Sequence, residues 1–423
     1  MMIRLDNFSS SEIKRAAMES SGEYTLLAIT PDRVVSVDQR RLEQVARDCD
    51  ALAVYGNYEK DGRVMPLIEL QPGSVRDDFD FGPVMLVKTA ELRRFASVAD
   101  GLEYAAFYAL WLSMYGRISF VPEVVSSVST VASECESGEA QFRYVDPRNR
   151  DAQIEKEEVF TRFVMEQEAF VEPGRAVEHT GDFKVEASVV IPVRNRVKTV
   201  GDAIRSALEQ ITDFPFNVIV VDNHSDDGTT ALVGNMAAAD SRVVHIIPEP
   251  GHGIGGCWNV ALDSPECGRF AVQLDSDDVY SSPRTLQQIV DKFHATGAAC
   301  VIGSYTLTDF ELNVIPPGLI DHAEWTDANG ANNALRINGL GAPRAYYTPV
   351  ARELRFPDVS YGEDYAMVLR LTRTYRLARI FDSLYFCRRW GGNSDSGLSP
   401  EKINANNRYK DWIRSVEFAA RKR

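Results

Sequence analysis

Two apolar runs of this 423-residue chain close on acidic groups that could do chemistry, and a third acidic pair opens a helical pattern. Asp275-Ser276-Asp277-Asp278 follows Phe270-Ala271-Val272-Gln273-Leu274, and its hard carboxylate oxygens suit Mg²⁺ or Mn²⁺, cations that neutralise a diphosphate. Asp222-Asn223 follows Asn217-Val218-Ile219-Val220-Val221 and offers hydrogen-bond acceptors for a base and a ribose. Glu363-Asp364 opens the helical pattern Ala366 to Tyr375, where a carboxylate could take a proton from a hydroxyl; Asp364 is the candidate base. Each group also has a structural alternative. Asp275 to Asp278 can be a turn with capping aspartates before Ser282-Pro283, Ser225 to Thr229 has the chemistry of a turn and helix cap, and Glu363-Asp364 can be an acidic first turn facing the helix dipole.

The elements that must position these acids read as an open α/β sheet. Ala187 to Pro192 predicts a strand, Lys198 to Gln210 a helix and Asn217 to Val221 a second strand, a βαβ unit. A helix after Thr229, a strand at Val243 to Ile247, a helix around Cys257 to Leu262 and a strand at Phe270 to Leu274 continue it. Ligands of such sheets bind beyond the carboxyl ends of the strands, so Pro192 to Arg196, Asp222 to Asp227 and Asp275 to Asp278 are expected in one crevice. The segment Gly251-His252-Gly253-Ile254-Gly255-Gly256 could admit a phosphate, but it follows Pro248-Glu249-Pro250 and lacks G-x-G-x-x-G spacing.

The length implies two or three domains. We divide the chain into residues 1–125, a linker over 126–184 carrying one amphipathic helix (Ala152 to Phe170), a chemical half over 185–398, and a terminal helix over 399–423 opened by Ser399-Pro400. Residues 1–125 echo 268–390 in order. Gly22 to Leu27 parallels Gly268 to Gln273, Val54 to Tyr58 parallels Val301 to Tyr305, Ala90 to Phe95 echoes Ala351 to Phe356, and Glu103-Tyr104 onward matches Glu363-Asp364 onward. The first copy has Ala28-Ile29-Thr30-Pro31-Asp32 where the second has its acids, Tyr104 replaces Asp364, and no counterpart of the unit at 187 to 221 is evident. The net charge of −15 disfavours nucleic acid as a partner. Six scattered cysteines (49, 135, 257, 267, 300, 387) disfavour zinc or a disulfide framework, and no signal peptide or membrane span is indicated, so a cytoplasmic protein is expected. The basic tail Arg421-Lys422-Arg423 is either a solvated helix end or a weak peripheral contact with an anionic membrane.

Taken together, Ser188-Val189-Val190-Ile191-Pro192-Val193-Arg194-Asn195, Val221 to Thr229, Leu274 to Asp278 and Gly362-Glu363-Asp364 resemble the ordered motifs of family 2 glycosyltransferases, over about residues 185 to 398. The resemblance implies a GT-A fold (a mixed sheet flanked by helices, preceded here by a smaller truncated copy), a nucleoside-diphosphate sugar donor and inversion at the anomeric carbon. It assigns Pro192, Val193, Arg194, Asn195, Asp222 and Asn223 to the nucleoside, Asp275 and Ser276 to the ribose and metal surroundings, Asp277 with Asp275 to the cation in a DxD arrangement, and Asp364 to deprotonation. Glu363, Gly341 in the loop Asn338 to Arg344, Arg389 and Trp390 are candidate substrate contacts; Arg389-Trp390 can equally be a surface cation beside a buried indole. Cys257-Trp258-Asn259 stands where the family often has A-R-N, which puts a phosphate contact there in doubt. The acceptor would be a glycan, a lipid-linked glycan or a protein in surface glycan or polysaccharide assembly, UDP the favoured nucleotide, and self-association compatible with the spare first half. The rival readings are a sugar-nucleotide nucleotidyltransferase, which lacks its basic phosphate loop here, and an inactive GT-A-like binding protein.

Overall fold

Val189-Val190-Ile191 and Val218-Ile219-Val220-Val221 are apolar on both faces, and both runs are fully buried, as parallel strands sandwiched between helices must be. The computed structural model describes residues 2–131, 146–393 and 398–422, so Cys135 and Arg423 lie outside it. Two sheets are present. The first contains β1 (Met2–Arg4), β2 (Tyr24–Ala28), β3 (Arg33–Val37), β4 (Ala53–Lys60), β5 (Arg63–Met65), β6 (Val84–Lys88) and β7 (Ile118–Ser129). The second contains β8 (Ala187–Val193), β9 (Phe216–Asp222), β10 (Val243–Ile246), β11 (Phe270–Gln273), β12 (Val279–Tyr280), β13 (Cys300–Thr308), β14 (Val314–Ile320), β15 (Arg344–Tyr347) and β16 (Leu377–Arg388).

The second sheet runs β10-β9-β8-β11-β15-β13-β16-β12, with β14 paired to β13. Strands β10, β9, β8 and β11 are mutually parallel, and β15 enters antiparallel between β11 and β13. This mixed sheet with flanking helices is a GT-A fold. The first sheet runs β1-β2-β6-β4-β7-β3 with β5 on β4, the same order less two strands. Direction agrees pair by pair: β1–β2 and β8–β11 are parallel, β2–β6 and β11–β15 antiparallel, β4–β7 and β13–β16 parallel, β3–β7 and β12–β16 antiparallel. Register agrees too, since Val54 faces Leu86 as Val301 faces Ala345, and irregular pairing falls at Gly56 in one sheet and Gly303 in the other.

Two expectations are corrected here. β1 is the counterpart of β8, so what the first half lacks is only the pair β9–β10; three residues beside Arg4 and Asp6 are too short to show a strand pattern. And β7 continues to Ser129, beyond the linker start expected at 126, because its alternation is broken by Pro122-Glu123 and a run of serines.

The helix Pro400–Arg421 joins the halves. Ser399 caps it by accepting from the Lys402 N–H at 3.3 Å, with Pro400 in its first turn. Asp411, fully buried, accepts from the Ser74 hydroxyl at 2.9 Å and pairs with Arg76 at 3.3 Å on the first half and with Arg414 at 2.8 Å on its own helix. Arg414 donates to the carbonyls of Leu335 and Ile337 in the second half. Of the basic tail, Arg421 is buried against Glu417, whereas Lys422 is exposed with its ammonium over the Phe418 ring. Asp411→Ala leaves the buried Arg414 without its carboxylate and takes one of two from the buried Arg76, so it is expected to cost about 3–5 kcal/mol. A urea unfolding midpoint equal to that of the wild type would exclude this.

Candidate active site

A cleft of about 560 Å³ opens at the carboxyl ends of β8, β9 and β11, within the range usual for a small-molecule site. Pro192, Val193, Arg194 and Asn223 line one side, Asp275 to Asp278 the floor, and Glu363 and Asp364 the far side, with Arg389 at the rim. Among the described residues no three His, Cys, Asp or Glu side chains form a ready-made metal cluster. Two carboxylates, Asp275 and Asp277, face the cleft and fit a hard divalent cation whose other ligands would be diphosphate and water oxygens.

The four residues after β11 differ in their work. Asp278 is buried and accepts from the Arg388 backbone N–H at 2.7 Å; burial and the neighbouring Asp277 and Asp275 charges push its carboxyl well above the usual range. It is a strut that ties the acidic floor to β16. Asp275 is raised by burial while the Arg344 guanidinium and Gln273 pull it back, and its Oδ1 accepts from the Gln273 amide at 2.9 Å. Asp277 is the open one: its Oδ2 lies 3.8 Å from Arg196 and accepts from Asn393 at 3.3 Å. Ser276 lies in the floor, largely buried.

On the far side, Gly362 takes φ +78°, which turns the chain into the helix Glu363–Thr372. Asp364 Oδ1 accepts from the Tyr365 N–H at 2.7 Å and Oδ2 pairs with Arg344 at 3.0 Å. Glu363 behaves differently: burial first and the Asp364 charge second push it up to about 8, and its Oε2 is buried with no hydrogen-bond partner among the described residues.

Residues 188–342 match the family model described as Glycosyl transferase family 2. This segment is a family 2 glycosyltransferase domain. AglD, a glycosyltransferase of Haloferax volcanii, is 29% identical over 129 residues, 30% of this chain and 20% of that protein. TuaG of Bacillus subtilis, named as a teichuronic acid biosynthesis glycosyltransferase, is 29% identical over 108 residues, 26% of this chain and 42% of that protein. The chain thus spans less than half the length of either relative. Among solved structures, S. aureus TarS with UDP-GlcNAc aligns at TM-score 0.43 and 22% identity over 56% of this chain and 72% of that one. The mannosyltransferase PcManGT of Pyrobaculum calidifontis with GDP-Man and Mn²⁺ aligns at TM-score 0.41 and 14% identity over 66% and 84%.

Several expected contacts fall elsewhere. Asp222 is fully buried, its carboxylate accepting from the Ser225 N–H and the Thr230 hydroxyl, so it builds the turn and does not reach the cleft; Asn223 does. Asn195, at φ +54°, ties its loop to Ser225 and Asp226 outside the cleft lining. Gly341 is buried where a Cβ would meet the Gly303 carbonyl at 2.7 Å, so it is not a substrate wall; its own carbonyl accepts from Arg344. Trp390 packs on Phe310, with ring centroids 5.5 Å apart, and is not in the lining. The glycine-rich segment contacts protein: a Cβ at Gly255 would sit 1.9 Å from the Pro357 carbonyl, and one at Gly256 would sit 2.3 Å from Asp358. His252 pairs with Asp358 at 2.8 Å there. The lining includes Arg196 from the expected crevice segment and Arg344 from the expected loop, neither singled out by motif, and also Gln273, Asn393 and Lys410, which motif reading passed over. The only sequence signal for Arg344 is a cation held in a glycine-proline loop between two acidic motifs.

Proposed function

We propose that the chain is an inverting glycosyltransferase that moves a hexosyl or N-acetylhexosaminyl group from a nucleoside-diphosphate sugar, UDP favoured, to an acceptor hydroxyl in surface glycan assembly. One observation carries this reading: a single cleft brings the paired strand-end carboxylates Asp275 and Asp277 together with the helix-opening carboxylate Asp364. In this reading Pro192, Val193, Arg194 and Asn223 hold the nucleoside. Asp275 and Asp277 hold Mg²⁺ or Mn²⁺, which when bound neutralises the departing diphosphate. Arg196 and Arg389 stand beside that end as further cations. Asp364 then takes the proton of the attacking hydroxyl from the face opposite the leaving group. A relative named for teichuronic acid biosynthesis supports the substrate class.

The test is a donor screen with Mn²⁺ and without acceptor, scoring nucleoside diphosphate released from UDP-, GDP- and dTDP-sugars. UDP-sugars should be hydrolysed fastest, and chelation should stop the reaction. No release from any donor would reject the activity. Release of a sugar that keeps the donor's anomeric configuration would reject single displacement.

A further inference from the structure

We infer that Arg344, seated by Gln273 and Gly341, is a positioning residue that holds Asp364 for proton transfer and links it to the donor end of the cleft. The inference rests on Asp364 as the base. The links are continuous. Gln273 donates from its amide to Asp275 at 2.9 Å and accepts, through its side-chain oxygen, from the Arg344 backbone N–H at 3.0 Å. The Arg344 guanidinium donates at 2.6 Å to the Gly341 carbonyl and pairs at 3.0 Å with Asp364 Oδ2. The planar fork therefore has one prong fixed to backbone and one on the carboxylate, an orientation a flexible ammonium does not enforce. With Oδ1 on the Tyr365 N–H and Oδ2 on Arg344, the Asp364 carboxylate has its rotation fixed, while each oxygen retains a lone pair for a substrate proton.

The first half supplies an internal control. In the matched sheets Phe270 and Tyr347 face each other where Tyr24 and Lys88 do, which sets Gln273 against Leu27 and Arg344 against Met85. Leu27 and Met85 are fully buried core residues that face each other across β2 and β6. By the same offset Asp275 corresponds to Ile29, and the sequence match of Glu103-Tyr104 with Glu363-Asp364 sets Asp364 against Tyr104. Framework positions persist, including Gly56 for Gly303, Asp32 for the strut Asp278 and Glu103 for Glu363. The four members of the chain from Asp275 to Asp364 are all replaced together. Gln273 and Arg344 therefore go with the chemistry and not with the sheet.

The first half also shows which substitution the strand can pack: Arg344→Met. Turnover is to be read as nucleoside diphosphate released from UDP-glucose, UDP-N-acetylglucosamine or GDP-mannose, whichever the wild type turns over fastest. Binding is to be read by calorimetry with UDP and Mn²⁺, alongside a thermal unfolding scan. Arg344→Met should lower kcat about 10²-fold, the scale of a misplaced reacting group, with KM and UDP affinity changed less than about twofold. Arg344→Lys should recover part of kcat, and Arg344→Met in an Asp364→Asn background should add no further loss, because the two act as one unit. A wild-type kcat in Arg344→Met, a loss that appears in UDP affinity instead, or losses that multiply in the double variant would overturn the positioning role. Asp364→Asn at the wild-type rate would reject the base itself, a separate result from an unimpaired Arg344→Met beside a crippled Asp364→Asn.

Discussion

Asp364→Asn is expected to lower sugar transfer by roughly 10² to 10⁴ while leaving donor binding and fold in place, the usual worth of a positioned base. The amide keeps the shape and still accepts from the Tyr365 N–H, but it cannot take a proton. Glu363→Gln is the control that separates the two neighbours. Glu363 is pushed up to about 8, so near neutral pH it is mostly protonated, and glutamine imitates that form. Its transfer rate should stay near that of the wild type. The sign of its effect on stability follows from linkage. A carboxyl raised from the ordinary 4.5 in the folded state contributes stability that is full below that value and is lost as pH rises toward about 8. Glu363→Gln should thus gain in unfolding midpoint over the wild type between about pH 5 and pH 8. Wild-type transfer by Asp364→Asn with a large loss in Glu363→Gln would exchange their roles.

Asp277→Ala is expected to abolish metal-stimulated turnover. Among the described residues its carboxylate is the least committed of the acidic floor, with a 3.8 Å approach to Arg196 and a 3.3 Å hydrogen bond from Asn393. Losing such a partly exposed pair costs the fold little, so the thermal midpoint without ligand should hardly move. The stabilisation that UDP with Mn²⁺ gives the wild type, by binding the folded state alone, should shrink sharply. Asp278→Asn is the contrast: an amide oxygen can still accept from the Arg388 N–H, so the tie to β16 and the metal dependence should be preserved. Ordinary activity and metal response in Asp277→Ala would remove Asp277 from the cation site.

The parts of the fold that showed in the sequence are those where period and chemistry coincide. The runs ending at Val193 and Asp222 are buried on both faces and bounded by turn residues, and the acids of β11 sit at the strand end where ligands collect. The terminal helix announced itself through Ser399-Pro400. What did not show depends on partners distant in sequence. Asp222 and Asp277 are the same residue type at equivalent strand ends, and only the positions of Ser225 and Thr230 make the first a turn builder. Gln273 reads as one polar residue inside a core strand, and its purpose appears only when β15 is laid beside β11. Gly341 looked like a wall because its loop composition carries no sign of the Gly303 carbonyl beneath it.

The helix Pro400–Arg421 also sets the order in which the protein can be finished. Ser74 and Asp411 are 337 residues apart in the chain, yet meet in one buried cluster. At about 5–20 residues per second of synthesis, the first half waits roughly 15 to 70 s for that partner. Through that interval Arg76 keeps Asp78 but lacks Asp411. The first sheet is therefore born before the segment that seals it, and the nascent chain must carry that unsealed face until this helix has been made.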